Sequence, residues 1–251
     1  MEDPPKPKHD HNTLKFPEGF LWGVATSAFQ TEGENVYSDW WEWEQKNLPK
    51  TNRSRLSANE YNLYEEDFKI AQNLNLNSFR LSLEWSRIEP VDGKFNDIEI
   101  DHYKKVLDSL NKKGMRVMLT LHHFSNPLWF SAKGGWANKK APFYFERFVR
   151  KITPELKKYV DFWITINEPT VYAYLAYRTS AFPPAKKSWW SFLNAILNMA
   201  SAHKKAYRVI HELDGGAKVG FANNVTSSSF GMGLSDWQIH RWGGFYGVDF
   251  F

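Results

Sequence analysis

The 251-residue sequence has no cysteine, which excludes disulfides, thiolate zinc sites and cysteine nucleophiles together. It has no uncharged apolar run near the roughly 20 residues that cross a bilayer, so no membrane is expected. Charge of one sign is scarce too: 32 Lys and Arg against 28 Asp and Glu leave a net +4. That surplus is spread along the chain without a basic stripe, so nucleic acid is not an expected partner. The first residues are polar and proline-rich and fit neither a signal peptide nor a membrane anchor. Residues 1–13 read as a disordered tail ahead of one domain over 14–251, in a cytoplasmic protein. What the chain has in excess is aromatic: 12 Trp, 11 Tyr and 19 Phe make up 17% of it. Such a surplus serves large-area packing or flat platforms for ring-shaped ligands, and without a basic stripe sugars are expected ahead of bases.

Along the chain, short apolar runs alternate with helical spacing. Strands are predicted at 20–26, 77–83, 115–121, 161–166 and 218–222. Residues 27–56 read as a long loop, and Ser57 with Glu60 reads as a capping box for a helix carrying Tyr61, Tyr64, Phe68, Ala71 and Leu74. Further helices are predicted at 98–113, stopped by Gly114, at 142–159 and at 189–213. The order βαβαβαβαβ with no hairpin signal is an α/β fold with a parallel sheet. Strand starts recur about every 49 residues, so five strands nearly use up the chain. Either this is a whole open sheet, or it is about the first five units of an eight-stranded (β/α) barrel of roughly 400 residues. No glycine-rich phosphate turn follows the first strand, which counts against a nucleotide-binding open sheet.

In parallel α/β folds the chemistry sits where strands end. The first strand leads to Gln30, Glu32 and Glu34, the second to Glu84, the third to His122 and His123. The fourth leads to Asn167 and Glu168, the fifth to Asn223 and Asn224. Amides, imidazoles and carboxylates gathered on one rim describe a hydroxyl-rich ligand, and no cofactor is called for. A metal is not expected at His122 and His123, because neighbours on a strand point to opposite faces and at most one enters the mouth. Glu168 follows the apolar run Trp163 to Ile166. Burial beside such a wall disfavours the charged carboxylate, as a general acid at neutral pH requires. Trp129 and Trp136 read as packing rather than as platforms.

The same residues carry a resemblance. FPEGFLWGVATSAFQTEG at 16–33, FRLSLEWSRIEP at 79–90, LTLHHF at 119–124 with Gly134, Gly135 and Trp136 behind it, and TINEP at 165–169 together resemble the family one glycoside hydrolases, the β-glucosidases and β-galactosidases. The resemblance implies a (β/α)8 TIM-type barrel and a retaining β-glycosidase, a hydrolase acting on small-molecule or oligosaccharide β-glycosides. It makes Glu168 the general acid/base, Asn167 the partner of the sugar 2-hydroxyl, and Gln30 and His123 the ligands of the more distant hydroxyls. Arg80 would lie beside the nucleophile and Asn224 on the rim. The sequence departs from the family twice. Ser125 and Asn126 stand where many members have Asp and Leu, and the Thr-Glu-Asn-Gly motif that holds the nucleophile is absent. Glu32 and Glu84 are not expected to replace it. The expectation is an incomplete barrel of about five units, with open edges through which chains could self-associate. The alternative is a noncatalytic sugar-binding protein derived from half a glycosidase.

Overall fold

The computed structural model describes residues 15–224, so the tail expected at 1–13 and the stretch from 225 onward lie outside the described residues. The first strand, β1 (Gly23–Ala25), leads into two helices, α1 (Ala28–Thr31) and α2 (Asp39–Asn47), and a single 3-10 turn at Lys50–Asn52. A loop was expected through this stretch. Its polar and aromatic residues hide short helices because their partner is the barrel rim rather than the sheet: Asp39 takes bonds from the backbone and side-chain nitrogens of Asn126, both at 2.9 Å.

The next helix, α3 (Glu60–Asn73), is capped differently from the sequence reading. Asn59 stands at the N-cap in left-handed geometry, with no side-chain cap bond. Glu60 instead accepts from Thr26, at 3.1 Å, and from Thr31, so its carboxylate fastens α1 to α3. Then come β2 (Ser78–Ser82), α4 (Trp85–Ile88), α5 (Asp97–Lys112), β3 (Arg116–Thr120), α6 (Leu128–Ala132) and α7 (Ala141–Leu156). The helix α5 starts where the Asn96 side chain accepts from the Ile98 N–H at 3.1 Å, and the chain leaves it through Gly114 at φ +75°. The described residues close with β4 (Phe162–Asn167), α8 (Pro169–Tyr174), α9 (Trp189–Leu213) and β5 (Lys218–Ala222).

All strands pair in parallel, in the order β1-β2-β3-β4-β5. A doubly wound sheet reverses its strand order at a switch point, and this one does not. With right-handed crossovers the sequential order puts the connecting helices on one face, which is the barrel arrangement. Part of the aromatic surplus goes into that helix–sheet layer. Trp85, Trp136, Trp163, Phe145 and Phe148 are fully buried, and Trp85 stacks on Phe148 at 5.1 Å between centroids. Trp129 also packs, its indole N–H donating to the Glu89 carbonyl at 2.7 Å.

Among the described residues β1 and β5 are the edge strands, each paired on one side. Along β1 every residue is exposed, and Val24 (43%), Ile70 (59%) and Leu74 (65%) leave an apolar strip between β1 and α3. On the other side a groove of about 540 Å³ lies against α9 and β5, lined by Ile166, Ile196, Met199 and Phe221 among others. Among the described residues no helix is long and apolar enough to cross a membrane.

Candidate active site

Arg80 stands in the middle of β2, and its neighbours on β3 and β4 define the site. Its Nε donates to Thr120 Oγ1 at 3.1 Å and its Nη2 donates to Asn167 Oδ1. With that oxygen engaged, the amide nitrogen of Asn167 is turned toward His123 Nε2, 3.4 Å away. Three strands are thus linked side chain to side chain, and the amide presents its donor end to the mouth. A register irregularity in β4 between Ile164 and Asn167 makes room for this. Burial lowers the Arg80 guanidinium, and the Glu168 carboxylate opposes that shift, so the two charges lie within electrostatic reach of each other.

Glu168 occupies the point where β4 turns into α8. Its backbone is left-handed, φ +43°, a conformation that a residue with a side chain holds only when its surroundings fix it. Here they do: its N–H donates to the Ala222 carbonyl at the end of β5 at 2.8 Å, its carbonyl accepts from Tyr172 at 2.9 Å, and Pro169 starts the helix. The side chain makes no capping bond. It is half-buried, not fully enclosed. Trp163 is buried and Thr165 bonds His203 Nδ1 of α9 at 2.7 Å, which turns the strand's bulk away from the rim.

The two adjacent histidines diverge as alternation requires. His122 is buried in the helix layer, its Nε2 3.0 Å from Asn126 Oδ1, with Trp136 Nε1 donating to the same oxygen at 2.9 Å. His123 turns to the mouth. Burial, then Arg80, then His122 push its imidazolium down to about 3, so at neutral pH it is an uncharged ring with one donor and one acceptor nitrogen. Gln30, in α1, accepts from the Ser27 hydroxyl, which leaves its amide N–H groups for a ligand. Gln30 and His123 both line a cavity of about 500 Å³. Asn224, just beyond β5, is exposed.

The structure therefore brings Arg80, Asn167 and His123 into one bonded group, with Glu168 next to Asn167 in sequence and Gln30 across the cavity from His123. Glu32 and Glu84 are not among them. The Glu32 oxygens accept from Tyr103 at 2.6 Å and Arg87 at 3.0 Å. Those of Glu84 accept from the Ser86 and Ser125 hydroxyls, 2.7 and 2.8 Å away, and the residue is fully buried. Neither faces Glu168. Sequence reasoning missed Ser27, Thr120 and the cavity residues Trp40, Glu44 and Phe182; the aromatic density of 40–43 was the one signal for the last group.

Sequential parallel β/α units with amide, imidazole, guanidinium and carboxylate on the C-terminal rim define a barrel of the glycosidase kind. The profile of Glycosyl hydrolase family 1 matches residues 12–230. Beta-glucosidase A of Thermotoga maritima is 32% identical over 221 residues, 85% of this chain and 50% of that protein. The beta-galactosidase of Pyrococcus woesei is 33% identical over 257 residues, covering 79% of this chain and 50% of the relative. The solved family 1 beta-glucosidase from Thermotoga maritima superposes with a TM-score of 0.87 at 29% identity, over 93% of this chain and 55% of its own. The chain belongs to glycosyl hydrolase family 1. It spans about half the length of the curated relatives it matches.

Proposed function

We propose that this chain carries the acid/base half of a retaining β-glycosidase acting on β-glucosides or related sugars. The observation that carries the reading is Glu168, fixed in left-handed geometry at the end of β4 beside the Arg80–Asn167–His123 group. In such an enzyme the Glu168 carboxyl protonates the departing glycosidic oxygen while a second carboxylate attacks the anomeric carbon from about 5–5.5 Å away. Water then displaces that carboxylate, with Glu168 taking the proton back. Asn167 Nδ2 donates to the 2-hydroxyl, a bond that strengthens as positive charge grows on the ring. Neutral His123 and Gln30 bind hydroxyls further round the sugar. Arg80 holds Asn167 and, with its positive charge, favours an ionised carboxylate opposite.

The second carboxylate belongs to β/α units beyond β5, which this reading supplies from outside the 251 residues. Asn224 is assigned to the rim of the completed mouth. A cytoplasmic setting is part of the same proposal and is supported by the lack of cysteine and of a membrane-crossing helix among the described residues.

The test joins residues 1–224 to the C-terminal remainder of a family 1 relative and assays a chromogenic β-glucoside. Turnover is expected, and Glu168→Gln lowers kcat about 10²–10⁴-fold, the range for loss of a general acid/base. A folded chimaera whose turnover is indifferent to Glu168→Gln overturns the proposal. The 251-residue chain alone is expected to give no turnover; activity there that vanishes with Glu168→Gln would mean that a carboxylate within this chain acts as nucleophile.

A further inference from the structure

Asn126 follows β3 and is 1% exposed, with every polar atom of its side chain engaged inside the protein. Its Oδ1 accepts from the Trp136 indole N–H at 2.9 Å and lies 3.0 Å from His122 Nε2. An indole nitrogen can only donate, which fixes the amide: its oxygen faces Trp136 and its NH₂ faces away. His122 Nε2 then carries the proton, since it meets an oxygen that can only accept. The other ring nitrogen, Nδ1, is left bare, and it has no partner among the described residues. The two amide protons go to Asp39 Oδ2 and to the Tyr172 hydroxyl, each at 2.9 Å. With both lone pairs and both protons committed away from solvent, the amide cannot turn without stranding buried groups.

Tyr172 is where this cluster meets the site. Its backbone N–H donates to the Glu168 carbonyl at 2.9 Å and so helps to hold Glu168 in left-handed geometry. Its hydroxyl accepts from Asn126 and bonds Tyr177 in turn, which accepts from the Trp136 backbone N–H at 2.9 Å. Tyr177 reaches that point because α8 runs on into a π-helical turn, Leu175–Thr179. Gly135 leaves it the room: a Cβ there would stand 2.7 Å from the Tyr177 oxygen. The helix that starts at Glu168 is thus pinned from its side by buried hydroxyls, and the pin ends on Asn126. A leucine, which stands at this point in many members of the family, makes none of these bonds, so those members cannot share the arrangement.

We propose that Asn126 is a positioning residue for the acid/base: it holds the Tyr172 hydroxyl, and through the first turn of α8 it holds the Glu168 backbone in its left-handed geometry. The inference rests on the glycosidase reading of Glu168. Asn126 touches no substrate and acts through Tyr172.

Amide exchange on the 251-residue chain reads the backbone, and kcat and KM of the chimaera read the consequence. Tyr172→Phe removes one oxygen from a buried ring and keeps its shape, while Asn126→Leu removes the amide at similar volume. Ser131→Ala is the control, because Ser131 is bonded to Asp39 Oδ2, at 2.8 Å, rather than to Tyr172. Both site variants are expected to speed exchange at the Glu168 and Tyr172 amides about fivefold, as for the loss of one hydrogen bond. They are expected to lower kcat about tenfold or more, with KM within about twofold. The double variant is expected to match the stronger single one, since the two residues are the ends of one bond. Ser131→Ala is expected to lower the melting temperature and to leave kcat and both amides at wild-type values. Wild-type exchange at Glu168 in both site variants, additive losses in the double variant, or an equal fall in kcat with Ser131→Ala overturns the assignment and leaves the glycosidase reading standing. Turnover indifferent to Glu168→Gln overturns the two together.

Discussion

At the scale of single residues, the site depends on who holds whom. Arg80 spends Nε on Thr120 and Nη2 on Asn167, a division of labour that only a planar, forked group can make. Arg80→Lys keeps the charge and loses the fork. Sugar affinity in a titration is expected to fall about tenfold, comparable to one charged hydrogen bond, while the melting temperature moves little. Ser27→Ala is expected to release Gln30 and weaken the same binding about threefold, with Asn167 unaffected. Glu168, Asn167, His123 and Gln30 were legible in the sequence because each ends a recognisable strand or its motif. Ser27 and Thr120 were not: a hydroxyl that orients a neighbour carries no local pattern, and its partner, for Thr120, lies 40 positions away.

At the scale of elements, the stretch from α1 to α3 is tied to the rim by buried carboxylates. Burial pushes Glu32 up to about 8, against the pull of Arg87 and Tyr103, and Asp39 up to about 7, against Asn126 and Ser131. Their ordinary values are 4.5 and 3.8, so the folded chain holds protons that the unfolded chain has already released. Such groups stabilise fully at low pH and lose that contribution as pH rises through their folded values. His102, His122 and His123 work in the opposite sense, but only up to their ordinary value of 6.5. Between about pH 6.5 and 8.5 the carboxylates act unopposed. Melting temperature is expected to fall across that window, and Glu32→Gln to flatten the decline; a flat wild-type profile would refute the assignment.

Gly33, in the same stretch, sits at φ +85° with the Leu56 carbonyl oxygen 2.1 Å from where a Cβ would stand. Gly33→Ala should cost at least about 2 kcal/mol in denaturant unfolding, from backbone strain and that clash together. The five strands and the long helices were readable from apolar periodicity, since each packs on its neighbours with a regular repeat. The helices α1 and α2 were not, because Asp39 and Glu60 take their bonds from Asn126, Thr26 and Thr31, and such long-range polar ties leave no periodic trace.

At the scale of the whole molecule, the five parallel strands follow the order of a barrel, and among the described residues β1 and β5 are each paired on one side only. Val24, Ile70 and Leu74 on one side, and the α9–β5 groove on the other, are apolar surfaces of the kind that associate. The 251-residue chain is expected to elute above its monomer mass in a concentration-dependent manner. Val24→Lys, which places a charge on the exposed edge strand, is expected to raise the monomer fraction. Elution as a monomer at every concentration, with a sharp cooperative melt, would show that the edges are no liability.

The strand order has one further consequence. Each strand lies beside the one made just before it, so a nascent chain leaving the ribosome finds every pairing partner already synthesised. Strand pairing can follow translation step by step, but Glu168 at the end of β4 reaches its fixed geometry only when Ala222 of β5 arrives to accept its N–H.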